Sequence, residues 1–158
     1  LNDVGCVVSA VGLKRIGQYA GANSVFSNMA DAEAALRFNL ATFGIHDESH
    51  WQHIFTHGIC TSPDGNIRLA YDPAIMANFP KGEEAKDIEL WGLWEAIKAL
   101  PVLLIRGESS DLLLPATALQ MQTTHSRLTL LTIDGAGHAP ALMSDEQINS
   151  ITEWIRAN

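Results

Sequence analysis

Two apolar runs constrain the fold most: Val102-Leu-Leu-Ile105 and Leu128-Thr-Leu-Leu-Thr-Ile133, each feeding a short turn. The first starts behind Pro101 and leads through Arg106-Gly-Glu-Ser-Ser to Asp111. The second leads through Asp134-Gly-Ala-Gly to His138 and Pro140. A continuous apolar run suits a parallel strand covered on both faces, where no position can turn a polar side chain to water. Pro115–Gln122 between them reads as a helix, and 145–157 as another, with Asp145 as its cap. Strand, helix, strand, helix predicts α/β architecture with a parallel sheet. Such sheets gather their chemistry at the C-terminal ends of the strands, where Asp111 and His138 both stand. A carboxylate so placed can fix the tautomer of an imidazole that activates a nucleophile.

The first half has a different texture. Leu1–Gly5 reads as the end of a strand and its turn. Val11–Ala20, Met29–Phe43 and Glu48–His57 read as helices, the second capped by Asp31 and the third by Asp47, with Gly21, Gly44 and Gly58 as stops. Ser62-Pro-Asp-Gly-Asn66 is a turn and Ile67–Tyr71 a short extended piece. Asp72-Pro73 opens a turn reaching to about Phe79, and Pro80–Asp87 is a polar loop. Ile88–Leu100 has a helical apolar stripe at Leu90, Trp91, Trp94 and Ile97, stopped by Pro101.

The strand Val102–Gly107 followed by Asp111, then Gly135-Ala-Gly-His138-Ala-Pro140, resembles the last two core strands of an α/β-hydrolase. Leu1-Asn-Asp-Val-Gly5 is similar to the segment that leaves the preceding core strand and enters the cap. With Tyr71-Asp-Pro73 and Asp87–Trp94, the likeness is to capped bacterial α/β-hydrolases. It implies three parts: the end of a core strand (1–6), a helical cap without strands of its own (7–86), and the C-terminal part of the core (87–158). It also implies a nucleophile-His-Asp triad acting on a small ester-type substrate, with His138 as base and Asp111 as orienting acid. Asp3 and Glu108 are the competing carboxylates. Asp134 lies too close to His138 in the turn, and Asp145 is taken up by its helix.

The family sets its nucleophile in a Gly-x-Ser-x-Gly elbow between a strand and a helix. No such pattern occurs here. Gly107-Glu-Ser-Ser-Asp111 and Gly58-Ile-Cys-Thr-Ser62 imitate it without the second glycine. The nucleophile, serine or aspartate, is therefore expected outside this chain, and the chain alone is expected to be inactive. Two long strands and a stub leave a sheet with open edges. Its expected partner is the N-terminal half of the fold or a second copy, consistent with an opening at Leu1 inside a strand end. A non-catalytic binding module built from half a hydrolase is the alternative reading.

His46, His50, His53 and His57 recur at helical spacing, which suggests metal binding. However, Asp47 as a cap excludes His46 from the helix, and neither His-Glu-x-x-His nor its reverse is present. No metal or organic cofactor is expected. Trp51 and His57 are instead candidates for lining a substrate cleft. The net charge of -8, with ten scattered Lys and Arg, argues against nucleic acid. No apolar run approaches membrane-spanning length. Two isolated cysteines, Cys6 and Cys60, suggest a reducing, cytoplasmic setting.

Overall fold

The computed structural model describes residues 1–21, 25–77, 79 and 85–158. In chain order its elements are β1 (Val7–Val8), α1 (Ala10–Gly17), α2 (Met29–Asn39), α3 (Glu48–Gly58), β2 (Ile59–Thr61), β3 (Ile67–Leu69) and a 3₁₀ turn (Pro73–Met76). There follow β4 (Ile88–Glu89), α4 (Trp91–Ala96), β5 (Val102–Gly107), α5 (Pro115–Thr124), β6 (Leu128–Ile133) and α6 (Asp145–Ala157).

β5 is the axis. It pairs in parallel with β6 from Val102↔Leu128 to Gly107↔Ile133. On its other edge Leu1–Asp3 adds a third parallel segment: Ile105 N–H donates to Leu1 O at 2.9 Å and Asp3 N–H to Ile105 O at 2.8 Å. Every residue of β5 is buried, and the alternation of a strand divides them between two layers. Val102 and Leu104 pack with Cys6, Trp94, Leu113, Ala118 and Met121, under α4 and α5. Leu103 and Ile105 pack with Ile133 and Ala136, covered by Ile151 and Trp154 of α6. The unbroken apolar run is thus the signature of a strand sandwiched between helices.

Pairing across the chain displaces two expected boundaries. Ile88–Glu89 is a strand rather than the first turn of a helix, because it pairs antiparallel with β1, and Leu90 N–H donates to Cys6 O at 2.7 Å. The helix is left with Trp91–Ala96. Residues 59–69 form a β-hairpin about the Ser62–Asn66 turn, and Phe26 bridges Ile67 beside it. The block between the core segments therefore has strands of its own. Its centre is Ala32, Leu36, Trp51, Phe55 and Ile59.

Two caps also differ. Asn28, not Asp31, caps α2, its side chain accepting from Asp31 N–H at 3.0 Å. Ser144, not Asp145, caps α6, which leaves Asp145 in the first turn to favour the helix dipole. Asp47 caps α3 as its sequence implies, accepting from Ser49 N–H at 2.7 Å. Of the expected Pro80–Asp87 loop, residues 80–84 lie outside the described residues. No helix among the described residues is long and apolar enough to cross a membrane.

Candidate active site

Three strand ends meet on one side of the sheet: the first segment at Asp3, β5 at Gly107 and β6 at Ile133. Beyond them the turns of β5 and β6 touch. A Cβ on Gly107 would stand 2.2 Å from Gly137 O, so only glycine lets the two turns approach this closely. Ser109 N–H donates to Ala136 O at 2.9 Å, and Gly135 N–H donates to the Glu108 carboxylate at 3.1 Å. Glu108, a competitor for the acid, thus staples one turn to the other.

The histidine turn is gripped from two further sides. The Asn2 amide donates to Pro140 O at 3.1 Å, and Thr42 Oγ1 donates to His138 O at 3.0 Å. Gly137 N–H reaches Thr42 O at 2.6 Å, and Ala141 N–H reaches Phe43 O at 2.9 Å. These contacts come from the first strand and from the segment after α2, and they fix the direction in which the imidazole leaves the turn.

The carboxylate against that imidazole belongs to Asp3. His138 Nδ1 lies 2.9 Å from Asp3 Oδ2. Asp3 is fully buried, while the His138 side chain is 17 % exposed. Asp3 Oδ1 accepts from Gly107 N–H at 2.9 Å, and Oδ2 also accepts from Ser110 Oγ at 2.5 Å. Among the described residues no arginine or lysine pairs with this buried carboxylate, which is tolerable only when donors replace its water, and three do so here. Its backbone sits in the left-handed region (φ 53°), one that aspartate accepts more readily than most residues. The arrangement implies that Nδ1 carries a proton toward Asp3, leaving Nε2 as the basic nitrogen.

Asp111, the expected acid, is engaged elsewhere. Its carboxylate takes a two-pronged pair from Arg15 of α1, Nε at 2.6 Å and Nη2 at 2.9 Å. That pair holds the Asp111 carboxyl below the usual carboxylate range, chiefly through the hydrogen bonds to Arg15. The planar fork of a guanidinium matches a carboxylate better than a single imidazole N–H does, so Asp111 turns to α1. Its neighbour Ser110, rather than Asp111 itself, reaches the histidine's acid.

In the first imitation elbow the hydroxyls are engaged: Ser109 Oγ donates to Ala136 O at 3.1 Å and Ser110 Oγ to Asp3. In the second, Cys60 is an exposed free thiol on the β2–β3 hairpin, 4.0 Å from Leu69 O. Burial pushes the Cys6 thiol up to about 11, far from a thiolate at neutral pH.

Trp51 and His57 are not brought to His138. Trp51 is buried at the centre of the helical block, with the Arg37 guanidinium 4.7 Å from its ring centroid. His57 is exposed and its ring lies 4.5 Å from that of His53. Among the described residues no three His, Cys, Asp or Glu side chains gather as a metal site. The histidine missed by sequence reasoning is His125. It is buried against Trp94, and it accepts from Arg127 N–H through Nδ1 at 3.3 Å while Nε2 meets Ile97 O at 3.3 Å.

The chain is 32 % identical over 156 residues to 3-hydroxybutyrate-oligomer hydrolase of Cupriavidus necator, covering 94 % of this chain and 53 % of that protein. All of it superposes on 53 % of a Rickettsia typhi protein with a provisional hydrolase assignment, at 33 % identity and a TM-score of 0.87. All of it likewise superposes on 56 % of an α/β-hydrolase from Novosphingobium aromaticivorans, at 31 % identity and a TM-score of 0.82. The chain has the fold of the α/β-hydrolases. It spans about half the length of these relatives and carries the C-terminal portion of the α/β-hydrolase sheet. No protein-family model matches it.

Proposed function

We propose that this chain supplies the acid–base half of an α/β-hydrolase that cleaves short esters, with His138 as base and Asp3 as its orienting acid. The observation that carries the proposal is the 2.9 Å contact of His138 Nδ1 with a fully buried, thrice-bonded Asp3. The nucleophile comes from a segment outside the chain. Its proton passes to Nε2 as it attacks the ester carbonyl, and the imidazolium then protonates the departing alkoxide. In the second half His138 deprotonates the water that attacks the acyl intermediate and returns that proton to the nucleophile as the acid departs. Asp3 stabilises the imidazolium in both steps and stays ionised.

The likeness to a 3-hydroxybutyrate-oligomer hydrolase supports a short oligoester of a hydroxy acid as substrate. The rest of the sheet docks at the open edge of Leu1–Asp3. Beside that edge lies an apolar groove formed by Leu1, Val4, Leu90, Leu93, Trp94 and Met121. Leu1 and Leu93 are more than half exposed there, an apolar surface suited to burial by a partner.

The test uses p-nitrophenyl butyrate. The chain alone is expected to give no turnover above the uncatalysed rate. Joined to the segment that bears the nucleophile it gains activity, and His138→Ala lowers kcat by roughly 10⁴-fold or more. Turnover by the chain alone, abolished in His138→Ala, would place the nucleophile inside it and overturn the division of labour.

A further inference from the structure

Between α1 and α2 lies a cavity of about 370 Å³, lined by Arg15, Gln18, Tyr19, Phe38, Asn39 and Thr42. It adjoins the acid–base pair directly through Thr42 and indirectly through Asp111. Thr42 donates to His138 O, and Arg15 grips Asp111, the residue after the Ser110 that donates to Asp3. Its walls are largely apolar, with two amides, a phenol, one hydroxyl and the Arg15 cation as polar groups, and the Phe38 side chain is 78 % exposed.

The cation is only partly used. A guanidinium has five N–H bonds. Asp111 takes the Nε–H and one on Nη2, and Tyr19 Oη takes one on Nη1 at 3.1 Å. That leaves one N–H on each terminal nitrogen without an acceptor among the described residues, enough to receive a second carboxylate. Asp111 on the side fixes the plane of the group, so little conformational freedom is lost on binding. The Tyr19 hydroxyl, which accepts from Arg15, still has its own proton to donate to the same ligand.

We propose that this cavity is the subsite for the free carboxylate end of the substrate, with Arg15 as the group that recognises it. The inference rests on the reading of the site as an ester hydrolase: the scissile ester lies at His138 and the terminal acid at Arg15. An enzyme so equipped trims oligoesters from the acid end and discriminates against capped esters.

Binding can be read without turnover, by ¹⁵N-resolved NMR titration of the chain with sodium 3-hydroxybutyrate and with its methyl ester as probes. The acid is expected to give saturable shifts at the Arg15 side chain and at Tyr19 and Thr42, and the ester none. Arg15→Gln raises the dissociation constant about tenfold or more, the cost of a charge-assisted fork. Asp111→Asn leaves acid binding within about twofold or tightens it, because the competing charge is gone. A merely structural ion pair would make the two variants equally deleterious, and that result overturns the proposal. So do equal shifts with acid and ester, or no saturation by the acid. Because no step requires catalysis, the outcome stands whether or not His138 proves to be the base.

Discussion

The turns that follow the first strand and β5 invite a direct comparison. Each ends a parallel strand, each lies on the same side of the sheet, and each carries an aspartate. Asp3 is fully buried, meets no arginine or lysine among the described residues, and collects a backbone N–H, a hydroxyl and an imidazole. Asp111 is 28 % exposed and held by one arginine. The difference teaches that position in the topology does not assign the role of an acid. The local backbone does: the left-handed bend at Asp3 folds its carboxylate back across β5 toward the histidine turn, whereas the Ser109–Ser110 turn leads Asp111 out to α1.

The comparison makes ordered predictions. The largest effect is catalytic. In a protein completed with its nucleophile, Asp3→Asn should lower kcat by roughly 10³–10⁴-fold, as expected when an imidazole loses its tautomer control. Asp111→Asn should cost less than about tenfold, since its partner is Arg15. Steady-state kinetics on a p-nitrophenyl ester decides between them, and the reverse ranking would restore Asp111 as the orienting acid.

Next comes the contact that brings the two turns together. Gly107→Ala would force a Cβ against Gly137 O, with backbone on both sides and no flexible side chain to yield. It should destabilise the chain by about 3 kcal/mol or more in urea denaturation, at the upper end of overpacking costs. An effect within 1 kcal/mol would mean that the turns can separate without consequence.

The smallest effect belongs to the Arg15–Asp111 pair, which is partly exposed and worth about 1 kcal/mol or less. Its sign with pH follows from the lowered Asp111 carboxyl. Below the folded value both states are protonated and the pair contributes nothing. Its stabilisation grows as pH rises toward the ordinary value near 3.9 and is complete above it. Arg15→Gln should therefore match the parent chain in strong acid and fall slightly below it from about pH 4 upward. A gap that persists unchanged into strong acid would mean that Arg15 stabilises through packing of its stem alone.

Much of the core was legible. The run 102–105 had to be a sandwiched strand, and Pro115 and the 145–157 pattern placed the helices on either side. His138 stood out because a glycine-flanked histidine at a strand end has few structural reasons to be there. What the sequence concealed were long-range pairings. Ile88–Glu89 looks helical until β1 is beside it, and the 59–69 hairpin exists because Phe26 and α2 supply its packing face. The sequence offers Asp3 beside Asp111, yet no local pattern announces a contact spanning 135 residues. Its rank depended on Arg15, whose claim on Asp111 crosses 96 residues and carries no motif. Trp51 misled for a simpler reason: a tryptophan on an amphipathic helix looks the same whether it lines a cleft or fills a core.

The central claim is that Asp3, not Asp111, holds the His138 imidazole. The most direct test is the low-field proton resonance of the His138 Nδ1–H, observed in the chain itself without need of a nucleophile. The resonance should be present in the parent chain and in Asp111→Asn, and lost or moved strongly upfield in Asp3→Asn. A signal that survives Asp3→Asn and vanishes in Asp111→Asn would contradict the account.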